Sequence, residues 1–279
     1  MRVSEINIYP VKSLKGITVI EAEVEPRGLR SDRRWLIIDK DGKFLTQRGL
    51  PKMATIGVAV SGNGLDVRAD GFVPLRVDPI EGERVTALVW NSTSEAVAYD
   101  IETNEWFSDV LGKKVTLLYM PDDAGRPVNP RFDRGGEMVS FADGYPLMLL
   151  GEASLAELNS RLERPLPMNR FRPNLVVSGS KAFAEDDWKT IRIGEAVFRS
   201  TKPCERCTIT TVDQSRGEFD GKEPLRTLTT FRSARDVMPE RIDALGLGPN
   251  AVLFGQNLIA ETAGAVVRVG DRVDILQTG

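Results

Sequence analysis

The chain has 279 residues, 41% of them apolar and 28% charged, with a formal net charge of −3. This is the composition of a soluble globular protein able to bury a sizeable core, with no overall attraction to nucleic acid or to an anionic membrane. There is no histidine, which excludes a Ser-His-Asp hydrolase, a Cys-His protease and a His-ligated zinc or non-haem iron enzyme.

Strand patterns dominate the first half. The N-terminal stretch alternates polar and apolar residues and carries no run suited to a signal peptide or a membrane span. Strands are predicted at Val3–Tyr9, Thr18–Val24, Arg34–Asp39, Phe44–Gln47 and Met53–Val60, then at Asp66–Arg68, Pro74–Val77, Arg84–Val89 and Ala96–Tyr99. Asp41-Gly42 and Gly62-Asn63-Gly64 read as hairpin turns. Many short strands with regular turns indicate a barrel or sandwich rather than a doubly wound sheet. A helix is predicted over Ile101–Leu111, with Trp106, Phe107, Val110 and Leu111 on one face and Gly112 at its C-terminal cap.

A strand at Val115–Tyr119 leads into "MPDDAGRPVNPRFDRGG", residues 120–136, whose Pro, Gly and charge content marks a boundary between two domains, 1–120 and 121–279. Arg126, Arg131 and Arg134 in that loop read as solvated charges. The second half opens with the helix "GEASLAELNSRLE", where Leu155, Leu158 and Leu162 form a stripe and Ser154 with Glu157 fits a capping box. Strands follow at Asn174–Val177, Thr190–Ile193, Ala196–Ser200, Thr208–Val212, Val252–Ile259 and Val266–Leu276, the last broken at Gly270-Asp271, with a short helix around Pro224–Phe231.

The only cysteines, Cys204 and Cys207, stand in "TKPCERCTIT". Two cysteines this close cannot staple a domain of this size, which suits a reducing, cytoplasmic setting. A structural zinc site or an iron–sulfur cluster usually needs four ligands. A thioredoxin-like pair would open a helix, whereas Thr-Ile-Thr-Thr-Val continues as a strand pattern. Two inert core thiols remain an alternative. The polar setting of Lys202, Glu205 and Arg206 favours a reactive thiol, with Arg206 beside Cys207 stabilising its thiolate.

Eight segments in order carry a resemblance. "NIYPVKSLKG" and "LRSDRRWLIIDKDGKFLTQR" are similar to the N-terminal β-barrel domain of MOSC-domain proteins. "GEASLAELNSRL", "FRPNLVVSG", "AFAEDDW", "CERCTITTVD", "EPLRTL" and "LFGQN" resemble successive MOSC segments, in the group containing the mitochondrial amidoxime-reducing component and its bacterial relatives. The resemblance implies a β-rich α+β protein, an N-terminal β-barrel-like domain followed by a MOSC β-barrel with flanking helices.

It also implies a molybdenum cofactor, a molybdopterin whose metal is ligated by Cys207. Lys12, Ser13, Arg33, Arg172 and Arg206 match positions that contact the cofactor, a chemically sensible cradle for its phosphate. Taken singly, Lys12, Arg33 and Arg172 are ordinary surface cations, and Arg33 has Asp32 beside it as a partner. Some relatives carry two hydroxyl residues where this chain has Gly144 and Tyr145, so a backbone contact at Gly144 is expected instead, with Asp143 next to it as a candidate for proton handling.

The expected activity is reduction of small N-hydroxylated compounds: hydroxylamines, amidoximes or hydroxylated nucleobases. Longer bacterial relatives add a ferredoxin-like domain beyond the point where this chain stops, at "DILQTG", so electrons are expected from a separate flavoprotein or iron–sulfur partner. Two alternatives use the same residues, a persulfide carrier without pyridoxal phosphate chemistry and a module that carries the molybdenum cofactor without turnover.

Overall fold

The computed structural model describes residues 1–279, and its first strand, Arg2–Ile8, lies between Ile17–Val19 and Leu175–Ser178. The N-terminus is therefore built into a sheet that the second half completes. That sheet has eight strands, continuing through Leu147–Gly151, Leu253–Ala260, Ala196–Glu205, Trp188–Ile193 and Val273–Thr278. All neighbours are antiparallel except Leu147–Gly151 with Leu175–Ser178, which are joined through the helix Glu152–Asn159. The sheet curls until its far end returns to the first strand, where Val3 N donates to Asp271 O at 2.9 Å and Gly270 N to Val3 O at 2.8 Å. Its core is Val3, Ile6, Leu149, Leu175, Val177, Ile191, Ile193 and Phe198, all within 1% of full burial.

Trp35–Asp39, Val115–Tyr119, Ser92–Ala98 and Arg84–Val89 form a separate four-stranded sheet. The helix Ile101–Leu111 covers it, with Gly112 left-handed at the C-cap as predicted and Asp100 accepting from Thr103 N at the N-cap. Trp35, Phe107, Leu117 and Met53 sit in this second core. The expected β-rich architecture, an N-terminal barrel-like part followed by a curled sheet with flanking helices, is what the chain adopts.

Several local expectations fail, each for a physical reason. Phe44–Gln47 is no strand: only Phe44 bridges to Ile38, and the chain then turns because Gln47 points inward, fully buried, donating to Ser13 O at 2.8 Å. Met53–Val60 divides into a 3-10 turn at Pro51–Thr55 and a strand at Gly57–Ser61, since proline presets the turn and offers no N–H to a ladder. Thr208–Val212 begins as a 3-10 turn over Thr208–Thr211; Thr210 Oγ1 donates to Cys207 O at 2.9 Å and Thr211 Oγ1 to Thr208 O at 2.8 Å, local bonds that compete with a ladder. Ser154 is inside its helix rather than at the cap, and its hydroxyl donates to Glu185 Oε1 at 2.7 Å.

The 120–136 loop is anchored rather than solvated at Arg126. That side chain is buried and donates to Val89 O at 3.2 Å and Ser140 O at 3.0 Å, and also to Ala142 O. Arg131 donates to Ala244 O and Arg134 pairs with Glu261.

Gly255 lets the strand Leu253–Ala260 pass tightly over its neighbour. Its φ is 84°, and a Cβ there would lie 2.8 Å from Met148 Sδ and 2.9 Å from Leu149 O. Gly255→Ala is expected to lower the unfolding free energy by about 2 kcal/mol, from left-handed strain and overpacking together. A urea midpoint unchanged from the parent would contradict this.

Candidate functional site

The site is assembled by the turn after the first strand. Tyr9, buried just past the end of the first strand, donates its hydroxyl to Pro173 O at 3.0 Å. Burial holds its phenol well above the usual tyrosine range, so it stays neutral. Two guanidinium groups pack on its ring, Arg33 at 4.4 Å and Arg172 at 4.2 Å from the centroid. Arg33 pairs with the buried Asp32 and donates to Asn174 Oδ1 at 2.9 Å. Asn174 in turn donates to Asn7 O at 3.1 Å, which ties both halves of the chain to one arginine. Burial pushes Arg172 down to about 10, and the nearby Arg33 charge adds to the push.

Ser13, Arg33 and Arg172 have φ of 67°, 50° and 54°, a left-handed backbone that side chains other than glycine and asparagine seldom adopt. Trp90, Ser31 and Phe183 complete the set of non-glycine residues in that region. Such strain concentrates where the surrounding structure forces a side chain into place.

Lys12 and Asp143 form the floor. Lys12 Nζ donates to Asp143 Oδ1 at 2.5 Å and to Phe141 O at 2.7 Å. Burial lowers the Lys12 ammonium to about 8, against the pull of Asp143. Arg48 Nη2 reaches the other Asp143 oxygen at 2.9 Å. Burial raises the Asp143 carboxyl, but Lys12 and Arg48 outweigh it and hold the group far below the usual carboxylate range. Asp143 is therefore an anion throughout the neutral range.

The two cysteines are free, half-buried and on the wall of the same cavity. Cys204 is the penultimate residue of the strand Ala196–Glu205, while Cys207 leads into the 3-10 turn. Arg206 faces Cys204, not its sequence neighbour Cys207: its Nη1 lies 3.0 Å from Cys204 Sγ and its Nη2 donates to Phe171 O at 2.7 Å. In extended backbone, side chains two apart share a face and adjacent ones do not. Burial nevertheless keeps the Cys204 thiol above its ordinary value, the Arg206 charge offsetting only part. A second cation, Arg48, lines the same cavity as Cys207. Burial draws its guanidinium down, and Asp143 and Cys207 together more than restore it, so it is raised overall.

All eight residues singled out from the sequence, Lys12, Ser13, Arg33, Asp143, Gly144, Arg172, Arg206 and Cys207, line one cavity of about 150 Å³. Arg48, Asn174 and Asn257 line it too, although no residue pattern singles them out within their segments. Arg48 follows Gln47, whose inward turn carries it to the cavity. Five cations and two carboxylates, Asp143 and Glu205, face this space. Arg48 Nη1 and Arg206 Nε are buried without hydrogen-bond partners. A wider chamber of about 850 Å³ adjoins it, sharing Asp143, Gly144, Tyr145, Cys204, Glu205 and Asn257. Such a wall is suited to an anion, with a thiol at hand as a soft ligand.

The chain is similar over nearly its whole length to known proteins. The MOSC N-terminal beta barrel domain matches residues 1–114 and the MOSC domain matches residues 136–274. Mitochondrial amidoxime-reducing component 1 of Homo sapiens is 35% identical over 286 residues, covering 98% of this chain and 82% of its own. The Xenopus laevis protein of the same name is 34% identical, covering 97% and 81%. Mitochondrial amidoxime reducing component 2 of Homo sapiens is 35% identical, covering 97% and 82%.

Lys12 gives the site a pH dependence. Its charge is present below about pH 8 and lost above it. Sulfate, used as a plain oxyanion, is expected to bind about tenfold more weakly at pH 9 than at pH 7, the worth of one charge-assisted hydrogen bond. In Lys12→Met the calorimetric affinity should be lower and level across that range. A parent protein with no such decline would show that Lys12 does not face the anion.

Proposed function

The chain belongs to the MOSC-domain family of the amidoxime-reducing components, and on that premise we propose that it is a molybdenum-dependent reductase of N-hydroxylated compounds. The observation that carries this reading is the union of the Cys207 thiol with Lys12, Arg33, Arg48, Arg172 and Arg206 on one cavity wall. These residues fit a molybdenum cofactor: a thiolate suits the metal, and arginine donors without partners suit a phosphate or pterin oxygen. Bound there, the cofactor would supply the two-electron chemistry that removes oxygen from an N–OH group as water.

The chain's own residues have separable tasks. Cys207 would hold the metal. Arg33, fixed by Asp32, Asn174 and the Tyr9 ring, and Arg172, stacked on the same ring, would bind the anionic end of the cofactor in a fixed orientation. Gly144 would contribute its backbone, and Ser13, on its strained turn, its hydroxyl. Asp143 was expected to handle protons; its depressed pKa suits it instead to positioning Lys12 and Arg48, which would meet negative charge developing on the substrate oxygen. Arg206 would bind the cofactor beside Cys204. Electrons would come from a separate flavoprotein or iron–sulfur partner, and the protein would work in the cytoplasm.

The test is the molybdenum-to-protein ratio by elemental mass spectrometry, on protein from cells able to make the cofactor. A ratio near one is expected in the parent and in Cys204→Ala, falling to background in Cys207→Ala. Equal ratios in the two variants would refute Cys207 as the ligand. Background molybdenum in the parent, with cyanolysable sulfur on Cys207, would make the protein a persulfide carrier.

A further inference from the structure

The hairpin between Arg84–Val89 and Ser92–Ala98 turns in two residues, Trp90 and Asn91, because Val89 pairs with Ser92. The positive φ, 56°, falls on Trp90 and not on Asn91. A two-residue turn with positive φ at its first position ordinarily places glycine there. A tryptophan in that place is at odds with local propensity, and such conflicts point to a purpose beyond folding.

The side chain is held toward the site. Arg48 packs over the indole at 4.9 Å from the ring centroid, Phe44 meets it at 5.1 Å with planes at 76°, and the indole Nε1 lies 3.4 Å from Asp143 Oδ1. The turn itself is fixed to the cavity floor, since buried Arg126 binds Val89 O on one side and Ser140 O and Ala142 O on the other. Yet Trp90 remains 48% exposed, and it lines the wide chamber that shares Asp143, Gly144, Tyr145 and Cys204 with the cysteine cavity. A packing tryptophan would be covered. This one presents apolar aromatic surface, as Tyr145 does, to the approach to a cation-lined site.

We propose that Trp90 is a specificity-determining residue, an aromatic wall that receives the flat body of an N-hydroxylated substrate while its N–OH group faces Cys207. The inference rests on the reductase reading and adds a preference to it: planar aromatic substrates over small aliphatic ones with the same reacting group. An aromatic ring is favoured against indole beyond the area it buries, and a methyl group gains little of this.

Benzamidoxime and acetamidoxime differ only in phenyl against methyl and are the probes. With reduced viologen as electron donor, the ratio of their kcat/KM values is expected to fall about tenfold in Trp90→Gly, mainly through KM for benzamidoxime, and to recover largely in Trp90→Phe. Glycine suits a φ of 56°, so the variant keeps its hairpin, and its thermal unfolding checks this. Proportional loss of both activities would overturn the proposal, because it would mean that Trp90 acts only by holding Arg48 and Asp143. A constant ratio would overturn it as well. Calorimetric binding of benzamidoxime to the oxidised protein separates the two readings. If molybdenum is bound but neither compound is reduced, the reductase reading fails, while tenfold weaker binding in Trp90→Gly still supports the wall and equal binding removes it.

Discussion

The pairing of Arg2–Ile8 with Leu175–Ser178 is the constraint on which the site depends. It makes the first strand a member of a sheet otherwise supplied mostly by the second half, so the turn that follows is delivered to the cavity that both cysteines line. Tyr9, Lys12 and Ser13 arrive by that route, and Asp32 and Arg33 follow because Arg33 N donates to Tyr9 O at 2.9 Å. Pro173 and Asn174 come from the partner strand's own approach and complete the cradle. Without that one strand pairing the cations would be scattered over two surfaces.

Gathering like charges in a half-buried space is unfavourable, and the structure shows how the cost is met. Lys12 and Arg172 have their charged forms weakened by burial. Asp143 offsets the first, and the neutral Tyr9 ring accepts the second together with Arg33. Buried Arg34, in contrast, is spent on structure, donating to Met120 O at 2.6 Å and pairing with Asp122. The site cations are incompletely satisfied, and Arg48 Nη1 and Arg206 Nε show it. A preformed set of donors lowers the reorganisation needed when an anion arrives.

Arg48 and Trp90 extend the same logic to the mouth of the cavity. Each depends on a turn that departs from its sequence preference: Gln47 breaks a strand pattern by turning inward to Ser13 and to Gln214, whose amide returns a bond to Gln47 Oε1 at 2.8 Å. Trp90 occupies a glycine position. The two side chains then support one another, cation over indole. Polar reach toward Asp143 and apolar exposure toward the chamber are thereby combined in one short segment of surface.

The sequence by itself determined the β-rich class and the helix Ile101–Leu111 with its Gly112 cap, and its motifs pointed to Lys12, Ser13, Arg33, Arg172 and Cys207, which the fold brings to one cavity. Periodicity and capping are local, and the ordered motifs carry the rest. It could not determine which arginine answers which sulfur. Arg206 is next to Cys207 along the chain but faces Cys204, because extended backbone alternates its side chains, while Arg48, far away in sequence, shares the cavity with Cys207. Nor could it show that Phe44–Gln47 and Thr208–Thr211 are turns, since their β-branched and aromatic residues carry strand propensity that buried amide and hydroxyl bonds override. Those bonds run to groups brought near only when the chain has closed its sheet, so only the tertiary structure decided them.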